Sequence, residues 1–133
     1  MGVGKSVFAR GFIRGFMNDP TLGVNSPTFM IIKSYENTML QQVLHLDLYR
    51  IKHRADLEEL AIDRMVEDCK HHVLIEWPEN LMGVVPKRFV KVEIQDDLHE
   101  EENFRMIHIE LVDELLSFQD EVNVKLSQEN WGP

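Results

Sequence analysis

Gly4, Lys5 and Ser6 form a Gly-Lys-Ser triplet directly ahead of a helical apolar pattern, a combination of residue types that can hold phosphate. The phosphate-binding loop of nucleoside triphosphatases reads G-x-x-x-x-G-K-[ST], so the triplet supplies its closing half. In such a loop successive backbone N–H groups wrap the phosphates and the lysine reaches the terminal ones. The hydroxyl binds Mg²⁺ at the start of a helix whose positive end faces the anion. The motif's opening glycine and the buried strand that delivers the chain to the loop would lie ahead of Met1, so the sequence is expected to be truncated at its amino terminus. Two other readings of these residues exist. Met-Gly-x-x-x-Ser also fits a short signature for N-myristoylation of Gly2, and half a phosphate-loop motif alone is compatible with an ordinary loop.

Two further stretches carry reactive side chains. In His45-Leu46-Asp47-Leu48-Tyr49-Arg50 a strand's alternation puts His45, Asp47 and Tyr49 on one face and Leu44, Leu46 and Leu48 on the other. An acid flanked by His and Tyr at period two suits polar work; a solvated strand face is the plainer account. In His71-His72-Val73-Leu74-Ile75-Glu76-Trp77-Pro78-Glu79 a short apolar run reads as a strand buried on both faces that ends at a carboxylate. An acid at the carboxyl end of a central strand is where phosphate-loop enzymes place the residue that handles Mg²⁺ or water. His71 and His72 are adjacent and would point to opposite faces, which argues against a shared metal ion.

The elements that must position these residues are legible at low resolution. Lys5 to Met17 reads as a helix with an apolar stripe of Phe8, Phe12 and Phe16 joined by Val7 and Ile13; Gly11 and Gly15 would let a sheet approach closely, and Asn18-Asp19-Pro20 ends it. Phe29–Tyr35 and Gln42–Tyr49 read as a hairpin. Asp56 with Glu59 resembles a capping box opening a helix through roughly Asp68. Arg88–Ile94 and Phe104–Leu111 read as a second hairpin around an acidic turn at 96–103, whose charges are explained by solvation. The domain is expected to span 1–112, with 113–133 a tail that is part helical through Leu126.

Composition excludes several classes. With 44% hydrophobic and 28% charged residues in 133, the chain is neither disordered nor collagen-like, and no run approaches the roughly twenty apolar residues of a membrane span. The formal charge of −9 opposes a broad phosphate-neutralising surface, so any link to nucleic acid is expected to run through a partner. The single Cys69 has no cysteine to pair with inside the chain.

Taken together, Gly4-Lys5-Ser6, Ser26-Pro27-Thr28-Phe29, His45 to Arg50 and Ile75 to Glu79 resemble one family. It is the small P-loop ATPase of the bacterial-type machinery that installs threonylcarbamoyl on adenosine of transfer RNA. The four blocks cover roughly the first 80 residues. The resemblance implies that Gly2, Val3, Gly4, Lys5 and Ser6 form the phosphate loop, with Lys5 on the β/γ-phosphates and Ser6 on Mg²⁺. It implies that Ser26, Pro27 and Thr28 belong to a loop that senses the terminal phosphate. Asp47 matches the aspartate at the metal and water site, Glu76 the carboxylate that helps hold Mg²⁺ or orient water, and Trp77 the tryptophan near the nucleotide. Arg50 is a partner for phosphate charge or a surface ion pair. The implied cofactors are ATP and Mg²⁺, the partners two larger proteins of the transferase complex with tRNA contacted only indirectly, and the location cytoplasmic without membrane attachment.

The fold expected from both lines is α/β: a three-layer P-loop NTPase-like sandwich with a mixed, mostly parallel central sheet and antiparallel hairpin extensions. Two other functions use the same residues. One is a binding module that docks on the transferase proteins without catalysis. The other is a small-molecule P-loop kinase, against which stands the lack of an arginine-rich segment after the catalytic strand.

Overall fold

The computed structural model describes residues 4–25, 27, 29–68, 71–96, 104–113 and 118–127. The chain divides into two compact units, one of Phe8–Pro86 and one of Met1–Val7 with Lys87–Pro133.

The first unit is built on a three-stranded sheet in the order β1-β2-β3, formed by Ile32–Glu36, Gln42–Asp47 and His72–Glu76. β1 and β2 pair antiparallel as the expected hairpin, with Asn37 holding the turn: its Oδ1 accepts the N–H groups of Met39 and Gln41, each at 3.0 Å. β2 and β3 pair parallel, with Val43 opposite His72 and Asp47 opposite Glu76. This sheet is therefore mixed, as expected, with one parallel and one antiparallel pairing among the described strands.

The central position of β2 explains its burial. A middle strand has neighbours on both edges and elements on both faces, and Val43, His45, Leu46, Asp47 and Leu48 are all buried. On the even face Leu46 and Leu48 join Ile51, Leu57, Ile62, Val66, Leu81 and Val84 in one apolar cluster, against which Val73 and Ile75 of β3 also pack. On the odd face Val43 and Tyr35 pack with Ile13, supported by Phe16, Met17 and Leu74. The sheet thus buries a helix-bearing apolar cluster on each face.

The helices depart from expectation in three places. Helix α1 runs Lys5–Met17 as its periodicity requires, but it buries Ala9 and Ile13, four residues apart, and leaves Phe12 43% exposed. The aromatic stripe is thus rotated partly off the core, and nothing lies within 4 Å of a Cβ placed at Gly11 or Gly15, so neither glycine serves a close approach among the described residues. The single helix expected after Asp56 is two, α2 at Arg54–Glu59 and α3 at Ile62–Asp68, broken where Ala61 adopts φ 56°. Asp56 is not the cap. His53 caps α2, and Asp56 sits in its first turn, where Oδ2 accepts the His53 N–H at 3.0 Å.

The second unit contains a sheet of three long antiparallel strands, β4 at Arg88–Asp96, β5 at Phe104–Asp113 and β6 at Phe118–Ser127. β4 and β5 form the expected hairpin, with Val92 opposite Ile109. β6 corrects the helical reading of the tail: residues 118–127 extend as a strand paired with β5, Val122 opposite Ile109 and Val124 opposite Ile107. Its alternating Val122, Val124 and Leu126 carry strand period, and the pairing partner rather than local propensity decides the outcome. On the polar face of β4 a 2.7 Å pair between Lys91 Nζ and Glu93 Oε1 holds the amine above and the carboxyl below their ordinary ionisation ranges. Both groups are exposed, and such a pair stabilises little. Residues 97–103 of the expected acidic turn, Cys69 and residues 128–133 lie outside the described residues.

Two stability changes follow. Leu46→Ala, which opens a hole in the cluster on the even face, is expected to cost about 2–5 kcal/mol in urea unfolding, whereas Met39→Ala on the exposed turn stays within about 0.5 kcal/mol. Ala61→Gly is expected to stabilise the protein by about 0.5–1 kcal/mol, because relief of the left-handed penalty exceeds glycine's added chain entropy.

Candidate functional site

The parallel register of β2 and β3 fixes which polar groups can meet. Residues opposite one another in a parallel pair share a face, so His45 and Asp47 of β2 stand on the same side of the sheet as Leu74 and Glu76 of β3. The polar groups come last along each strand, at the carboxyl ends. Leu74 and Val43, lower on the same face, belong to the apolar cluster under α1. The face is therefore apolar below and polar at its upper edge.

Three side chains make up that edge. His45 Nε2 lies 2.8 Å from Glu76 Oε2, and since a carboxylate oxygen only accepts, the imidazole N–H donates. The His45 side chain is 1% exposed and that of Glu76 10%. Asp47 is 3% exposed, and its Oδ1 accepts the Tyr49 N–H at 3.0 Å, a local turn that fixes the carboxyl as the chain leaves the sheet. The backbone at this edge is tied on both sides: Asp47 N–H donates to Ile31 O at 2.9 Å, and Leu48 N–H to Glu76 O at 3.1 Å. Asn80 Nδ2 adds a third tie, donating to Leu48 O at 2.8 Å.

The backbone around these carboxyl groups adopts sparsely populated conformations. Ile31 has φ 66° and Trp77 φ 61°, left-handed values that are unusual for β-branched and bulky residues and cost of order 1–3 kcal/mol each. One accepts the Asp47 N–H and the other directly follows Glu76. The left-handed turn at Trp77 starts the short 3₁₀ helix Pro78–Leu81 and directs its indole towards Tyr49, ring centroids 5.0 Å apart. Trp77 also packs on the apolar cluster of the even face. Arg50, one residue on from Tyr49, lays its guanidinium over the Phe29 ring at 4.2 Å.

The residues singled out in the sequence thus fall into groups. Asp47, Glu76 and Trp77 come together at the ends of β2 and β3. Gly4 and the first residues of α1, Lys5 and Ser6, are described by themselves: Gly4 has φ 105°, and α1 begins at Lys5. Lys5 is half-buried and Ser6 exposed. Gly2, Val3, Ser26 and Thr28 lie outside the described residues; Pro27 is buried in the loop before β1.

Sequence reasoning grouped His45 with Asp47 and Tyr49 for polar work without giving it a partner, and the solvated-face reading of this strand is overturned by its burial. Its period-two spacing from Asp47 was visible; the parallel partner that brings Glu76 to it was not. Tyr49, 44% exposed, was likewise grouped with them by spacing, but past the strand end it turns to Trp77 instead. Among the described residues no three His, Cys, Asp or Glu side chains form a metal-holding group, and no helix is long and apolar enough to cross a membrane.

Residues 1–107 match the family model for the threonylcarbamoyl adenosine biosynthesis protein TsaE. Proteins named tRNA threonylcarbamoyladenosine biosynthesis protein TsaE are similar to it. That of Bacillus subtilis is 33% identical over 95 residues, 71% of this chain and 56% of that protein. That of Haemophilus influenzae is 32% identical over 94 residues, 71% of this chain and 57% of its own. That of Rickettsia bellii is 30% identical over 95 residues, 71% of this chain and 63% of its own. The matched segment therefore spans roughly three-fifths of these relatives' length.

The buried hydrogen bond at this edge predicts an asymmetry. Glu76→Ala strands the His45 N–H in the interior and is expected to destabilise the protein by about 1–3 kcal/mol, whereas Glu76→Gln keeps an acceptor in reach and costs less. Urea unfolding of the two variants checks the difference.

Proposed function

The chain belongs to the TsaE family, and on that premise we propose that it is the ATP-binding, ATP-hydrolysing subunit of the machinery that forms threonylcarbamoyladenosine in tRNA, where it acts as a switch. The observation that carries the reading is the register of Asp47 opposite Glu76. It puts two acidic residues opposite one another on one face, at the carboxyl ends of adjacent parallel strands, the edge at which open α/β sheets take their ligands. The fold that accords with it is the three-layer P-loop NTPase sandwich, supported by helix-bearing apolar clusters on both faces of a mixed sheet.

The donor set suits the cofactors this reading needs. Mg²⁺ prefers oxygen ligands, takes one or two carboxylates and fills the remaining positions with water and phosphate oxygens, so Asp47, Glu76 and the Ser6 hydroxyl match its chemistry. When bound, the ion neutralises charge that develops on the transferred phosphoryl group. The chain's own residues do the rest. Gly4, at a φ that favours glycine, and the first N–H groups of α1 form part of an anion cradle with Gly2 and Val3. Lys5 supplies a point charge to the β/γ-phosphates. Asp47 and Glu76 orient the attacking water, and their burial keeps those orientations fixed before substrate arrives. Thr28 senses the terminal phosphate, and Trp77 sits beside the nucleotide.

In this role turnover resets a complex with two larger proteins, one of which carries the transferase site. tRNA is contacted only through them, a role in keeping with a net charge of −9, and the protein works in the cytoplasm.

Trp77 fluorescence tests the reading, with Trp131→Phe leaving a single indole. Titration with MgATP is expected to give a saturable change, and Lys5→Ala to weaken it at least about tenfold, the order expected for loss of a charge-assisted phosphate contact. Phosphate release stimulated by the two partner proteins is the expected activity. A phosphorylated metabolite instead would mean a kinase, and partner binding that ignores ATP and survives Lys5→Ala and Glu76→Gln would mean a docking module.

A further inference from the structure

We propose that His45 is a positioning residue for Glu76: its Nε2–H, donated from the neighbouring strand, holds the Glu76 carboxylate in one orientation on the face that carries Asp47. The inference deepens the hydrolytic reading above and rests on it.

Three observations carry it. The first is geometry: the contact is 2.8 Å and joins two strands whose register is fixed by the parallel ladder, so donor and acceptor cannot slide apart. The second is rigidity. His45 is fully enclosed in the central strand, whereas a glutamate has three side-chain torsions to restrain before its carboxylate can act from one place.

The third concerns the other ring nitrogen. His45 Nδ1 is buried with no hydrogen-bond partner among the described residues. A histidine kept for core stability would be expected to satisfy both nitrogens, since an apolar side chain of similar shape is otherwise as stable or more so. Here the ring is satisfied on one side alone, and that side is the carboxylate of the site. The arrangement resembles the outer partners that orient the ligands of a metal site, whose loss commonly lowers affinity or activity about 10–100-fold.

The test compares His45→Leu, which removes the donor, with His45→Gln, whose amide N–H can stand near the position of Nε2. MgATP hydrolysis is measured with both variants and the wild-type chain, each first checked for cooperative unfolding. His45→Leu is expected to lower kcat about 10–100-fold with KM within about threefold, and His45→Gln to recover at least half of that loss on a logarithmic scale. Unchanged kcat in His45→Leu, a loss confined to KM, or a folded His45→Gln as impaired as His45→Leu would each overturn the proposal.

A second arm does not depend on turnover or on the leucine variant folding. In the wild-type chain labelled at histidine nitrogen, the His45 Nε2–H proton is expected to be protected from exchange and to shift in Glu76→Gln. A resonance that exchanges freely or ignores that substitution overturns the proposal. Wild-type protein that hydrolyses no MgATP, alone or with its partners, overturns the ATPase reading instead, and the nitrogen spectra then decide the His45–Glu76 contact by themselves.

Discussion

Removing carboxyl groups from water is the constraint around which this sheet is organised. A carboxylate buried without compensation costs several kcal/mol, so the fold must supply donors wherever it hides one. Glu76 receives the imidazole N–H of His45, and Asp47 receives the Tyr49 backbone N–H. Both donors come from β2 or the residue pair just after it, so one strand provides the acid and the means of burying its neighbour's acid. The price is borne on the opposite face, where Leu46 and Leu48 anchor the same strand in the larger apolar cluster. Side chains at odd positions can then be chosen for chemistry because those at even positions already hold the strand in place.

The left-handed residues belong to the same economy. Ile31 and Trp77 would each relax if the chain took a wider path, yet both sit where the sheet's upper edge meets a carboxyl group. Ile31 turns its carbonyl to the Asp47 N–H, and Trp77 turns the chain out of β3 immediately after Glu76. Strain of this kind persists where surrounding contacts over-determine it, and here those contacts are the Trp77–Tyr49 ring pair, the Asn80–Leu48 hydrogen bond and the apolar cluster beneath.

How much of this was legible in the sequence depends on the range of the interaction concerned. Local signals gave helix α1 to the residue, both hairpins, and the two carboxyl groups as candidates. What failed was non-local. Phe12 belongs to a faultless helical stripe, yet the sheet meets α1 along Ala9 and Ile13. Asp56 and Glu59 have the spacing of a capping box, but the box starts three residues earlier, on His53. The stretch 118–127 carries no decisive local preference and becomes a strand because β5 offers an unpaired edge. The partner of His45 escaped for the same reason, since nothing near it in sequence reveals that Glu76, 31 residues on, will lie beside it.

The charge of the chain sharpens what the proposed activity demands. At −9 the protein repels a nucleoside triphosphate at long range, and two of the carboxyl groups in that count, Asp47 and Glu76, stand at the sheet edge where the proposed reading would bring the phosphates. Long-range steering cannot assemble such a complex; short-range groups must. Under the proposed reading, a lysine, backbone N–H groups and a divalent cation would supply that short-range attraction. Under that reading, the same carboxyl groups that disfavour bare nucleotide would favour its magnesium complex. A site built this way would discriminate by charge before it makes any contact with the base.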